Sequence, residues 1–396
     1  MNAVRLQPRA WTAEPIPASA RGLRVALFSG NYNCVRDGAN RALNRLVTHL
    51  LERGAAVRVY SPTIAAPAFA PAGDLVPLPS IGIPGRPEYR LAVRFPRSVR
   101  ADVAAFAPTH IHVSCPDYAG GRALGLARAL GVPAVASLHT RFETYLDYYR
   151  LGLLNGPLKA RLRAFYSRCD HVLAPNIAMA ESLAGFGVAP ERVHIWGRGV
   201  DPALFSPGLR SEAWRAALGY RRRDPVLLFF GRLVREKGLD VFAASVAELR
   251  RRGLALRPLV VGDGPERPWL EQRLGDAIFT GHLDGEALGR AVASADILVN
   301  PSVTEAFGNV NLEAMASGLA VVSADVGSAR ALIVDQKQGL LVPPQAPGGY
   351  ADAVETLVRH PARRARLAAA AATASLAYNW PDILDSVIGV YREAAA

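Results

Sequence analysis

Lysine is scarce in this chain: of 46 basic residues only Lys159, Lys237 and Lys337 are lysine, so positive charge is otherwise written as arginine. Cys34, Cys115 and Cys169 are odd in number, far apart and without metal-ligand spacing, which argues against a disulfide framework or a zinc site. No apolar run reaches the roughly 18 residues that a spanning helix needs. The first residues carry Arg5, Arg9 and a small Ala18-Ser-Ala20 tripeptide but no uninterrupted apolar stretch, so a secretory signal is not read there. With Pro8, Pro15 and Pro17 they suggest a loose arm over residues 1–22, and the chain is expected in the cytoplasm. No Gly-x-Gly-x-x-Gly opens a helix near Gly30, where the first strand runs into Asn31-Tyr-Asn-Cys34, and no Walker lysine motif occurs. Nor does an Asp-x-Asp pair follow a predicted strand, so no metal is assigned and no cofactor is expected to be required.

What is present is apolar mass. Half of the 396 residues are hydrophobic, enough for two domains with separate cores. The net charge of +12 is uneven, with 24 basic against 13 acidic residues up to position 205 and 22 against 21 beyond it. A basic surface attracts nucleic acid, anionic lipid headgroups or acidic substrates, and its sign alone does not choose among them. Arginine-rich composition is the plainer explanation of the same excess.

Arg24 to Gly30, the amphipathic stretch Gly38 to Arg53 and Ala56 to Pro62 read as strand, helix and strand. Further strands are expected at His110 to Cys115, Pro133 to Leu138 and His171 to Ala174, with a helix over Ala119 to Leu130. The pattern restarts at Val226 to Phe230, Arg257 to Val261, Ala277 to Thr280, Ile297 to Asn300 and Ala320 to Ser323. Alternation of this kind predicts an α/β fold with two parallel sheets covered on both faces. Gly199 to Pro207 suits a hinge, giving a first domain over 23–205 and a second over 206–379. A long helix is expected over Ala351 to Leu376, and a closing helix near 380–396 is expected to pack back on the first domain.

Two strand-to-helix junctions carry chemistry. In Phe230-Gly-Arg-Leu-Val-Arg-Glu-Lys-Gly238, Gly231 lets backbone approach a ligand, while Arg232 and Lys237 suit a diphosphate through charge-assisted hydrogen bonds worth about 1.5–3 kcal/mol each. A compact ammonium at Lys237 is notable in an arginine-writing chain. In Val299 to Gly318 a helix is expected to begin near Gly308, leaving the amides of Phe307, Gly308 and Asn309 open to anionic or hydroxyl-rich ligands. Glu305 before that helix and Glu313 inside it can accept from sugar and ribose hydroxyls. Each segment alone has a plainer reading, a solvated basic loop or a capping carboxylate with an exposed helix glutamate. Ala314 and Gly318 are better explained by close helix packing.

Taken together these segments resemble the retaining glycosyltransferase family 4, whose fold is the two-domain GT-B type. The resemblance rests on Gly231 to Gly238, on Glu305 with Glu313, and on the Asp37-Gly38-Ala-Asn-Arg41 turn with Leu138-His139-Thr-Arg-Phe142. It covers about residues 22–390, and its flavour is closest to GDP-mannose-dependent mannosyltransferases and sulfoquinovosyl or glucosyl lipid synthases. It implies two Rossmann-like domains facing across a cleft, with the nucleotide on the second. Arg232 and Lys237 would hold the diphosphate, Glu313 the ribose, and Glu305 with the following amides the transferred sugar. Gly38 would approach the donor phosphate and His139 would face the sugar. Gly262 and Gly264 of Val261-Gly-Asp-Gly-Pro265 are similar to the family's glycine turn near the nucleotide, and the base is read by backbone around Gly281-His282-Leu283. A histidine ending an apolar strand, taken alone, is more often merely packed; an imidazole with a reference pKa near 6.5 also suits a hydrogen-bonding role at a sugar.

The implied reaction moves a hexose from GDP-mannose or a UDP-hexose to a hydroxyl of a lipid or glycan, without metal and without an obvious side-chain nucleophile. Arg86, Arg90, Arg94, Arg97 and Arg100, interleaved with Tyr89, Leu91, Val93 and Phe95, and a second stretch from Tyr145 to Arg168, suggest contact with an anionic membrane at its cytoplasmic face. Two rivals remain at this point. A sugar-nucleotide epimerase of the same architecture would need acid and base groups beyond His139 and Glu305, and a nucleic-acid-binding protein would leave the paired donor motifs without a purpose.

Overall fold

A computed structural model describes residues 19–35, 37–83, 86–139, 155–254 and 256–395. Most of the expected N-terminal arm, Thr140 to Phe142, and the Tyr145 to Leu154 part of the second basic stretch lie outside the described residues. The chain divides into two compact units, one of residues 1–198 with 381–396 and one of residues 199–380.

The first unit contains β1 (Arg24–Phe28), β2 (Ala56–Ser61), β3 (Asp74–Pro77), a hairpin of β4 (Ser80–Ile83) and β5 (Arg86–Ala92), then β6 (His110–Val113), β7 (Ala134–Ser137), β8 (His171–Ala174) and β9 (Val193–Ile195). Its seven-stranded sheet has the order β3-β2-β1-β6-β7-β8-β9, parallel throughout. The second unit contains β10 (Leu227–Phe230), β11 (Leu259–Val261), β12 (Ile278–Gly281), β13 (Ile297–Asn300), β14 (Ala320–Ala324) and β15 (Leu340–Val342), ordered β12-β11-β10-β13-β14-β15 and again parallel. Both sheets are doubly wound, and their order reverses beside β1 and beside β10, as in Rossmann-type sheets. The two expected parallel α/β sheets are present.

The strands form because they can be buried on both faces. β6, β7, β10, β13 and β14 are buried at every position, so they show apolar runs in place of the alternation of a half-solvated strand. Helices supply the cover. The helix Gly38–Glu52 buries Ala42, Leu43, Leu46, Val47 and Leu50 on one stripe, and Asp37 caps it by accepting from the Asn40 amide at 2.8 Å.

One expectation is corrected. The single helix over Ala351 to Leu376 is two helices, Pro347–Arg359 and Pro361–Ser375, because Pro361 lacks an N–H and pushes His360 out of the helical region, to φ −122° and ψ 75°. The arginines from Arg86 to Arg100 share no single element: the first lie on β5, which pairs antiparallel with β4, and the last on a helix that starts at Arg97.

The closing helix, Trp380–Ala395, joins the first unit through buried and partly buried polar contacts. Asp385 accepts from His49 Nε2 at 2.6 Å and from Arg53 Nη2 at 2.8 Å, and the Tyr391 carbonyl oxygen lies 2.5 Å from His110 Nε2. Replacing Asp385 by Ala leaves His49 and Arg53 without their shared acceptor. Urea denaturation should show the first unit destabilised by about 1–3 kcal/mol. Unchanged stability would mean that this helix is held by its apolar face alone.

Candidate functional site

The reversal of strand order beside β10 places the loops after β10 and β13 side by side, and such a switch point is where open α/β sheets take ligands. β10 ends at Phe230 and β13 at Asn300, so residues 231–238 and 301–308 emerge together from the carboxyl edge. The two loops touch. Gly238 has φ +72°, and a Cβ on it would stand 2.9 Å from the Pro301 carbonyl oxygen. Thr304 Oγ1 donates to the Glu236 carbonyl at 3.2 Å.

This contact joins Lys237 to Glu305. The ammonium lies 2.5 Å from Glu305 Oε1, with side-chain exposures of 21% and 17%, low enough for the pair to be only weakly screened. Burial alone would push the Glu305 carboxyl up, but the Lys237 ammonium, helped to a smaller degree by the Ser302 hydroxyl and then by Arg232, outweighs it and holds the group below the ordinary carboxylate range. The pair is not saturated chemically. An ammonium carries three donors and a carboxylate about four acceptor sites, so one shared contact leaves donors for phosphate and acceptors for hydroxyls at the same spot.

The glycines of the neighbouring loops are where backbones meet. Gly231 N–H donates to the Val261 carbonyl at 3.0 Å, Leu233 N–H to Asp263 at 2.9 Å and Gly262 N–H to Gly281 at 2.8 Å. A Cβ on Gly262 would sit 1.9 Å from the Gly231 oxygen, and one on Gly264 2.4 Å from the Leu233 oxygen. Glycine is required there by loop-on-loop packing whether or not a ligand binds. Leu283, just past β12, is partly buried against the core, which occupies its side chain.

The helix after β13 spans Asn309–Ala316, and Gly308 caps it at φ +97° with no side-chain acceptor. Among the described residues the amides of Phe307, Gly308 and Asn309 find no acceptor, so the end of the helix is open. Phe307 itself packs inward, edge-on to Tyr378 at 6.3 Å. Glu313 lies on the second turn, partly buried. Sequence reasoning missed what aims this helix. Asn300 Nδ2 donates to Asn311 Oδ1 at 2.9 Å, and Asn311 Nδ2 donates to Ser323 Oγ at 3.0 Å, all buried. Three polar residues on two strand ends and one helix could have been flagged as anomalies within apolar runs.

Gly38 and His139 belong to the first unit. Gly38 opens the helix after β1, at the carboxyl edge of that sheet. His139 follows β7, and both of its nitrogens are engaged: Nε2 lies 2.8 Å from Ser137 Oγ and Nδ1 2.7 Å from Arg198 Nη2. Arg198 was not singled out by the sequence reading; an arginine in a glycine-flanked turn looks solvated until the fold buries it. Among the described residues His171, His194 and Glu393 gather ligand atoms within 4.8 Å of one another, the group best suited to a metal ion. His171 opens β8, so the group lies on the first sheet and away from the carboxyl-edge loops.

Residues 36–204 match the family described as Glycosyltransferase Family 4, and residues 224–360 that described as Glycosyl transferases group 1. The chain is 34% identical over 378 residues to a GDP-mannose-dependent alpha-mannosyltransferase of Mycolicibacterium smegmatis, spanning 93% of this chain and 97% of that one. It is 30% identical over 366 residues to the sulfoquinovosyl transferase SQD2 of Arabidopsis thaliana, spanning 90% and 71%. Among solved structures, sucrose-phosphate synthase from Thermosynechococcus elongatus superposes with a TM-score of 0.74 at 21% identity over 94% of this chain and 98% of that one, a likeness of fold.

The Lys237–Glu305 pair has a pH signature. A carboxyl whose folded pKa is depressed contributes stability above its unfolded pKa and loses it as pH falls through the folded value. In Lys237→Met the partly buried carboxylate loses its cation and becomes a liability at neutral pH. The melting-temperature gap between wild type and Lys237→Met should therefore be widest near pH 7 and close on acidification, with Glu305→Gln narrowing it in the double variant. A gap independent of pH would show that the pair is not electrostatically coupled to folding.

Proposed function

We propose, from the premise that the chain belongs to glycosyltransferase family 4 and is a retaining glycosyltransferase that uses nucleotide sugars, that it moves a hexose from a nucleotide-diphosphate sugar to a hydroxyl of a lipid or glycan. The observation that carries this reading is the contact of Lys237 with Glu305 at the switch point, a cation and an acceptor side by side near open amides. Arg232 and Lys237 take the diphosphate. Glu305 and the amides of Phe307, Gly308 and Asn309 take the transferred sugar, and Glu313 accepts from the ribose. The loops at Gly231, Gly262, Gly264 and Leu283 bound the nucleotide. Gly38 is assigned to the donor phosphate and His139 to the sugar.

Negative charge grows on the diphosphate as the anomeric C–O bond breaks. Preorganised cations and amides stabilise that charge without a metal. The acceptor oxygen attacks the anomeric carbon from the face the phosphate leaves, and its proton passes to the departing phosphate oxygen. This gives retention with no side-chain nucleophile. GDP-mannose is the favoured donor, because the 34% identical relative is named for it. A UDP-hexose is the second choice.

A lipid acceptor is supported by the β4–β5 hairpin. Ile81, Ile83, Leu91 and Val93 are 55%, 40%, 43% and 42% exposed, and the direct pairing of Ile81 with Leu91 puts those two on one face. Arg94, Arg97 and Arg100 follow, all exposed. Asn31, just past β1, pins the hairpin by accepting from the Arg90 amide at 2.7 Å and donating to its carbonyl at 3.1 Å. Apolar residues ringed by arginine suit the headgroup region of an anionic bilayer. No helix among the described residues is long and apolar enough to cross a membrane.

Purified protein supplied with GDP-mannose or UDP-glucose and a membrane-lipid extract should release the nucleoside diphosphate and form a glycolipid whose anomeric configuration matches the donor's. Lys237→Ala, shown folded by circular dichroism, should lose activity by about 100-fold or more. Turnover at the wild-type rate would sink the diphosphate assignment, and an inverted product would sink the reaction. For the membrane contact, wild type should co-sediment with phosphatidylglycerol vesicles and weakly with phosphatidylcholine, and Ile81→Ser with Leu91→Ser should weaken that by at least about tenfold. Equal binding by the double variant would remove the hairpin from the membrane.

A further inference from the structure

Behind His139 runs a line of polar side chains that none of the roles above uses. Arg198 Nη2 lies 2.7 Å from His139 Nδ1, and His139 Nε2 lies 2.8 Å from Ser137 Oγ. Ser137 Oγ lies 2.8 Å from His112 Nε2, and His112 Nδ1 lies 2.6 Å from the Tyr391 hydroxyl. The line starts past β9, crosses the ends of β7 and β6, and finishes on the closing helix. Arg198, Ser137, His112 and Tyr391 are all buried. Trp196 walls it, edge-on to the rings of His139 and His112 at 5.3 and 6.3 Å, with the Arg198 guanidinium 4.8 Å over its own ring.

The chemistry of the first member sets the next. A guanidinium only donates, so His139 Nδ1 accepts, and the single proton of the neutral ring sits on Nε2 and is donated to Ser137. The Ser137 hydroxyl then donates to His112 Nε2, which leaves His112 Nδ1–H facing the Tyr391 oxygen. Electrostatics agree. Burial, then the Arg198 charge, then His112 hold the His139 imidazolium far out of reach, and burial brings His112 down to about 3. Burial also lowers Arg198 to about 10, the mark of a cation placed where charge is disfavoured. Among the described residues Arg198 has no carboxylate partner; its other acceptors are the carbonyls of Trp196 at 3.0 Å and Gly197 at 2.9 Å. An apolar side chain would fill that space at lower free energy. The arrangement therefore points to a demand other than packing.

We propose that Arg198, Ser137, His112 and Tyr391 are positioning residues that lock His139 as a neutral ring with its proton on Nε2, so that His139 serves transfer as a fixed dipole and not as a general acid or base. The inference rests on the reading of His139 as a residue at the transferred sugar. It also makes the closing helix, through Tyr391, part of the site's support.

Selective 15N labelling of histidine, with His139 identified by its loss in His139→Gln, reads the tautomer directly. The ring should stay in the Nε2–H form from pH 5 to 8, and kcat should show no acid limb from it in that range. Arg198→Met removes the donor to Nδ1, so the His139 ring should no longer be held in the Nε2–H tautomer, and kcat should fall about tenfold with a smaller change in donor KM. Arg198→Lys, which keeps a charge and donors, should retain the tautomer and covers the case in which Arg198→Met does not fold. Tyr391→Phe should lower kcat and leave His139 neutral. A wild-type His139 that protonates near its ordinary pKa, or carries its proton on Nδ1, overturns the proposal, as does an Arg198→Met enzyme whose His139 keeps the Nε2–H tautomer and the wild-type kcat. If transfer of the proposed hexose is not found, the donor and acceptor assignment fails while the labelling experiment still decides the tautomer.

Discussion

The parallel pairing of β10 with β13 is the constraint on which the second unit's site depends. Leu227 lies against Ile297 and Leu228 against Leu298, so two strands distant in sequence end side by side, and the loops that leave them have nowhere to go but against each other. Close approach of those two loops then requires glycine at Gly238, where a Cβ would meet the Pro301 carbonyl oxygen at 2.9 Å, and the loop after β11 meets the β10 loop under the same rule at Gly262 and Gly264, at 1.9 and 2.4 Å from the Gly231 and Leu233 oxygens. Hydrophobic burial drives the strands together; the absence of side chains at three positions lets their ends touch. Everything polar that follows is arranged by that contact.

Its first consequence is electrostatic. Lys237 and Glu305 meet in a partly buried setting in which neither charge would be comfortable alone, and each makes the other tolerable. Because one contact uses only part of what an ammonium and a carboxylate can bond, the pair is stable and receptive together. The buried Asn300–Asn311–Ser323 chain does for the helix Asn309–Ala316 what the glycines do for the loops, fixing where its open amides point.

The first unit solves a different problem. His139 stands at the carboxyl edge of its sheet with both nitrogens engaged inward, and the groups that engage it are themselves buried. Tyr391 reaches the line from the far end of the sequence, on a helix that Asp385 ties to His49 and Arg53. The hairpin bearing Ile81 and Leu91 faces outward at the same edge of the sheet, held by Asn31. A fixed histidine and an exposed apolar ribbon are thus carried by one rigid scaffold.

Much of this was legible before any coordinates. Apolar runs marked the central strands, since strands buried on both faces need no alternation, and the two junctions at 230–238 and 299–318 announced themselves by charge and glycine at strand ends. Local chemistry is written locally. The break at Pro361 is equally local, since a proline inside an alanine-rich run ends the helix before it, whereas the β4–β5 hairpin has no comparable mark in its sequence. What a one-dimensional reading could not contain is adjacency: that Lys237 closes on Glu305, that Arg198 is buried against His139, and that Tyr391 ends a chain of hydrogen bonds begun near position 198. Those facts depend on which strands lie beside which, and strand order is decided by the packing of whole sheets and helices. The residue types alone set the available chemistry; only the tertiary structure decided which donors found which acceptors, because hydrogen bonds and ion pairs act over a few ångströms in space, whatever the separation along the chain.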